Sequence, residues 1–128
     1  MGEISLEHFA SRLDSLDYPQ AVRGLMQALT THARAAGDDV VVRAHESLKG
    51  SIGLTFKRGR RAFLRADPKP TSGHVGVSIP GAGDDTLAPA GRVHRRKGGA
   101  PSWVHVTTLA GVDLLKAEVL LSYGRAGD

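Results

Sequence analysis

The sequence predicts an α+β domain of two layers: two N-terminal helices and one C-terminal helix on one face of a mainly antiparallel sheet of about five strands. Three observations carry this. Apolar residues recur at helical spacing at both ends of the chain. From Val40 to Ile79, and again from Trp103 to Thr107, they alternate with period two. The successive alternating segments from Val40 to Ile79 are joined by short, turn-rich links, which fit hairpins in an antiparallel sheet. The 128 residues suit one domain over 1–128, with a helical part over 1–37 and the sheet plus closing helix over 40–124.

Leu6, Phe9, Ala10, Leu13 and Leu16 keep helical spacing, and Ser5 is placed to cap the first turn. Asp17-Tyr18-Pro19 breaks that pattern, and Pro19 suits the first position of a second helix, where its missing N–H leaves no bond unmade. Val22, Leu25, Met26, Leu29 and Ala33 are the apolar stripe of that helix, and Gly37 ends it. Val40, Val42 and Ala44 then alternate with Val41, Arg43 and His45; Ile52, Leu54 and Phe56 alternate with Gly53, Thr55 and Lys57. After the turn Arg58-Gly59-Arg60, Ala62, Leu64 and Ala66 alternate with Arg61, Phe63 and Arg65. Asp67-Pro68-Lys69-Pro70 reads as the end of that strand, and Val75, Val77 and Ile79 form the next one. Pro80 to Gly91 is rich in turn formers and reads as a surface loop, followed by a short strand or basic loop from Val93 to Lys97. Trp103 to Thr107 is the last strand, and Val112 to Tyr123 the closing helix.

Composition removes several classes of function. With no cysteine there is no disulfide scaffold, thiolate metal site, iron–sulfur cluster or Cys nucleophile. No apolar run exceeds three residues, too short for a membrane-spanning helix. Met1 to Leu6 lacks the basic opening of a signal peptide, and Leu6 stands where a myristoylation site needs Ser or Thr, so the expected setting is the cytoplasm. The net charge of +4 is unevenly distributed. Arg43 to Lys97 holds twelve Lys or Arg against four acids, a surplus of eight, whereas the rest of the chain holds five against nine. Such segregation is the footprint of a face that attracts polyanions, although a charge run of this kind also serves simply to solvate a surface.

Strand alternation supplies that face. If the aliphatic rows meet the helices, the other side carries Arg43, His45, Thr55, Lys57, Arg61, Phe63, Arg65, Gly76, Ser78, Trp103, His105 and Thr107. Aromatic rings on a sheet stack unpaired bases while Arg and Lys neutralise phosphates, and Gly76 with Ser78 would leave the centre low and open. Two clusters reinforce the cations, namely Lys57, Arg58, Arg60, Arg61 and Arg65 around one turn, and Arg92, Arg95, Arg96 and Lys97 in the late loop. The competing reading packs Phe63 and Trp103 under arginine stems, under the loop or against a second subunit.

Other signals are weaker. The six histidines show no close helical pair, and no metal or other cofactor is expected. Gly50-Ser51-Ile52-Gly53 has the GxxG spacing of a KH loop but precedes a strand, so a tight turn is the expectation; Lys49 with Ser51 lacks the order of a P-loop. Asp67 and Lys69 have the acid-x-Lys spacing of a metal-dependent nuclease, for which Glu46 is the one upstream acid in the sheet region. No G-x-S-x-G elbow points to a serine hydrolase.

Arg61-Ala62-Phe63, Asp67-Pro68-Lys69, Trp103-Val104-His105-Val106 and the closing helix ending near Tyr123 resemble domain of unknown function 5655, a family of small bacterial proteins, over Val40 to Tyr123. Trp103 followed by a helix ending in Ser122-Tyr123 is similar, more loosely, to the MmcQ/YjbR-like double-wing proteins, a resemblance that implies DNA binding. Neither implies a catalytic residue. The expected function is a non-enzymatic module that binds nucleic acid or another polyanion through the sheet face and the Arg92–Lys97 loop. A protein-interaction or oligomerisation domain is the alternative, and a small nuclease or other hydrolase the third.

Overall fold

The computed structural model describes residues 2–15, 17–95 and 102–128. It is α+β, with one antiparallel sheet and its helices packed on a single face. The strands are β1 (Gly2–Ile4), β2 (Val40–Glu46), β3 (Ile52–Arg58), β4 (Arg61–Lys69), β5 (His74–Ser78), β6 (Arg92–His94) and β7 (Trp103–Val106). Their order across the sheet is β1-β2-β3-β4-β5-β7-β6, and every neighbouring pair is antiparallel. The helices are α1 (Leu6–Leu13), α2 (Gln20–Ala35), α3 (Asp84–Leu87), α4 (Leu109–Leu114) and α5 (Lys116–Ala126).

The expected alternation builds most of this. Ala44, Leu54, Phe56, Leu64, Ala66, Val75, Val77, Val104 and Val106 are buried in one core with Val22, Leu25, Met26 and Leu29 of α2 and Val119 of α5. Ser5 caps α1, its side chain accepting from the His8 N–H at 3.0 Å. Pro19 stands one position earlier than expected, as the cap residue of α2, where it is equally harmless. The β3–β4 hairpin turns on Gly59, whose φ of +61° at the first central position is the left-handed geometry such a two-residue link needs. The Ser47–Ser51 segment is a turn between β2 and β3, closed by the Ser47 N–H donating to Ser51 O at 2.8 Å, and not a KH loop.

Several expectations need correction. Seven strands and five helices are described, where about five and three were expected. The loop from Pro80 to Gly91 contains α3 and a 3-10 turn at Ala88–Ala90, with Leu87 and Ala90 buried. The closing helix begins at Leu109, capped by Thr108, and is interrupted at Leu115. Pro68 does not end β4: it pairs with Val75 on β5, beyond Ala66, where the regular β3–β4 register stops. A proline is tolerated there because one side of the strand makes no ladder bond.

Most consequential is a β-bulge. Phe56 pairs with Leu64 and Lys57 with Ala62, which leaves Phe63 as an extra residue on β4. The bulge reverses the strand's parity. Phe63 turns into the helix-side core, fully buried, with its ring edge-on to Tyr123 of α5 at 5.4 Å. Arg61, beyond the bulge, likewise leaves the open face.

Candidate nucleic-acid interface

No described helix covers the far side of the sheet, and its composition follows from the register. Glu3 pairs with His45 and His45 with Gly53; Asp67 pairs with Gly76, Gly76 with His105, and His105 with Arg92. Next to this row run Arg43, Thr55, Arg65 and Ser78. Lys57 extends the face along β3, and Lys69, paired with His74, extends it along β4. Five cations (Arg43, Lys57, Arg65, Lys69 and Arg92) therefore share a surface with two acids, Glu3 and Asp67. Arg43 is within 3.2 Å of Glu3, both side chains being exposed. Among the described residues, Lys57, Lys69 and Arg92 have no ion-pair partner.

Trp103 and His105 alternate with the buried Val104 and Val106, as the sequence implies. The two glycines of the row are occupied and not open. Trp103 lies down over Gly76, with indole carbons 3.4 and 3.8 Å from where a Cβ would stand. The Asp67 carboxylate fills the space over Gly53, beside the His45 ring. Ser78 is buried at 4% exposure, so the expected low centre is filled by neighbouring side chains. The Arg65 guanidinium carbon sits 5.7 Å from the Trp103 ring centroid, within the range of a cation–π contact.

Three histidines from three adjacent strands line up at this end of the face. His74 and His105 stack at 4.2 Å with 20° between rings, and His94 and His105 at 5.9 Å with 16°. Only His105 is among the residues that strand alternation puts on this face in the sequence; His74 and His94 reach it diagonally across strands, a relation that depends on the register. Burial lowers the pKa of His105, and His94, Arg92 and Lys69 push the same way. Burial lowers that of His74, helped by His105 and Lys69. Burial also lowers that of His45, with Asp67 opposing and Arg65 assisting.

These depressions fix the sign of a pH effect. A histidine with a folded-state pKa below its unfolded value takes up protons more readily in the unfolded chain. The neutral stack is fully compatible with folding above about pH 6.5, and stability falls as the pH drops through that value. The melting temperature should therefore decrease between about pH 7.5 and about pH 5.5. A His74→Gln/His105→Gln double variant should show a smaller decrease, measured by parallel thermal melts; an unchanged decrease would remove the stack as its source.

The remaining site expectations divide. Arg58 points to the helix side: its Nε is 3.1 Å from Asp39 Oδ2, its Nη1 donates to Tyr123 O at 3.3 Å, and its guanidinium lies 4.2 Å from the Tyr123 ring centroid. Arg61 Nη1 donates to Arg125 O at 3.4 Å. Both arginines thus meet carbonyls in the last turn of α5, where helical acceptors lack intrahelical partners and the dipole favours cations. Arg60 is exposed at the hairpin tip, and Arg95 pairs with Asp84. Arg96 and Lys97 lie outside the described residues.

The nuclease constellation does not assemble from its expected parts. Glu46 pairs with Ile52 of the core face and meets Arg12 of α1, whereas Asp67 faces the other side of the sheet. Among the described residues, no group of three or more His, Cys, Asp or Glu is placed to hold a metal ion, and no helix is long and apolar enough to cross a membrane. Comparison of the chain with protein-family models, with curated proteins and with solved structures finds no match in any of the three.

Proposed function

We propose that this chain is a binding module for nucleic acid, engaged through the uncovered sheet face, with unpaired bases as the preferred target. The observation that carries this reading is the grouping of Trp103, with Arg65 beside its ring, and the His74–His105–His94 stack beside Lys69 and Arg92, on a face that Lys57 extends along β3. Planar side chains offer stacking surfaces to bases, and each stacked base contributes about 1–3 kcal/mol. The cations neutralise phosphates and release counterions. A duplex keeps its bases paired and stacked, so it gains only the second of these terms.

The alternative of an aromatic patch for a protein partner loses one of its two anchors, because Phe63 is part of the core. Trp103 is the sole tryptophan, which makes its emission a direct reporter. Titration with a single-stranded oligonucleotide at low salt should quench that emission saturably, and a duplex of the same length should quench it less. Emission that stays constant through the titration would refute this reading.

A further inference from the structure

A second feature lies at the end of the sheet where Lys69 pairs with His74, and it shares Lys69 with the sheet face. The β2–β3 turn, the β4–β5 turn and the junction between α1 and α2 border an open cleft of about 490 Å³. That is a volume suited to a small organic ligand. Lys49 and Lys69 stand on its two sides, and the hydroxyls of Ser51, Thr71 and Ser72 line it. Neither lysine has an ion-pair partner among the described residues.

The floor of the cleft is held in place by interactions of its own. Arg12 is paired with Glu46 and donates from Nη2 to Gly50 O at 3.0 Å, which anchors the glycine turn to α1. Gly50 adopts a φ of +83°, so the turn between Lys49 and Ser51 is one that a side chain would strain. Tyr18 is only 5% exposed in the cleft wall; burial raises the pKa of its phenol, and the Arg12 guanidinium beside it opposes that shift. Pro68 and Pro70 add rigid apolar surface. Asp17 is the one acid in the lining, and the charges of Lys49 and Lys69 outweigh it.

We propose that this cleft binds a phosphate monoester, with Lys49 and Lys69 balancing its charge and the Ser51, Thr71 and Ser72 hydroxyls donating to its terminal oxygens. A monoester presents several terminal oxygens to these converging donors, and the proline and tyrosine surfaces accept the organic part. The same chemistry is found at the phosphorylated end of a nucleic-acid strand and on a free nucleotide. Of the residues named, Lys69 alone belongs also to the sheet face, and Lys49, Ser51, Thr71 and Ser72 lie outside the strands.

The test is calorimetric titration at constant ionic strength with a nucleoside, its 5′-monophosphate, inorganic phosphate, and one short oligonucleotide with and without a 5′-phosphate. The monophosphate should bind saturably and the nucleoside should not. Lys49→Glu, at an exposed turn position, should weaken the monophosphate about tenfold or more, in keeping with the loss of a charge-assisted bond. Thr71→Ala/Ser72→Ala should weaken it less, and Arg34→Glu, exposed on α2 outside the cleft lining, should leave it unchanged. Tighter binding of the phosphorylated oligonucleotide than of the mononucleotide would assign the site to strand ends; equal binding would assign it to the free nucleotide. Equal binding of nucleoside and monophosphate, or affinity indifferent to Lys49→Glu, would overturn the proposal, whatever the sheet face does.

Discussion

Phe63→Ala is expected to cost about 3–5 kcal/mol of folding stability, the range for truncating a buried phenylalanine. The side chain is fully buried, and its ring meets Tyr123 edge-on at 5.4 Å. Its removal leaves a cavity where the bulged part of β4 meets α5. At that junction Arg58 also links the hairpin to Asp39 and to the Tyr123 carbonyl. Equilibrium urea denaturation of wild type and variant measures the effect directly. A cost below about 1 kcal/mol would mean that the ring lies on the open face, as strict alternation along β4 implies.

The contrast between Phe63 and Trp103 explains what was legible in the sequence. Trp103 to Val106 is an unbroken strand, so parity assigns Trp103 and His105 to one face and Val104 and Val106 to the other, and the structure agrees. Arg43, Lys57 and Arg65 follow from the same rule. A bulge inserts one residue and inverts the rule beyond it, and nothing in Arg61-Ala62-Phe63-Leu64 announces that insertion. Strict alternation therefore puts Phe63 and Arg61 on the open face, whereas the bulge turns both to the helix side. Strands β1 and β6 have three residues each, too few for a period to register, and β6 is what brings Arg92 and His94 beside His105. The interruption of the closing helix at Leu115 has no proline or glycine to mark it. Helix α2 was legible because its stripe is long and Pro19 marks its start; Ser5 marks the start of α1, which ends at Leu13 with Phe9 its one buried residue, and Leu16 lies outside the described residues.

Replacing Lys57 and Arg92 together by glutamate should produce the largest change in binding. The two residues lie on opposite parts of the face, on β3 and β6, and neither contributes a side chain to the hydrophobic core. If each contacts a phosphate of a bound single strand, the double variant loses two contacts. The slope of log affinity against log salt should then flatten by about 0.7 per contact, or about 1.4 for the pair. Arg34→Glu, exposed on α2 in the opposite layer, alters the net charge without touching the face and should leave the slope nearly as it is. That control separates local contact from the general attraction of a basic protein for a polyanion.

The affinity of the wild-type protein for a labelled single-stranded oligonucleotide, followed as salt is raised, tests the sheet-face interface most directly. The predicted result is tight binding at low salt with a linear decline on logarithmic axes, a steep slope in wild type and Arg34→Glu, and a shallower slope in Lys57→Glu/Arg92→Glu. Absence of binding at low salt, or one slope shared by all three proteins, would contradict it.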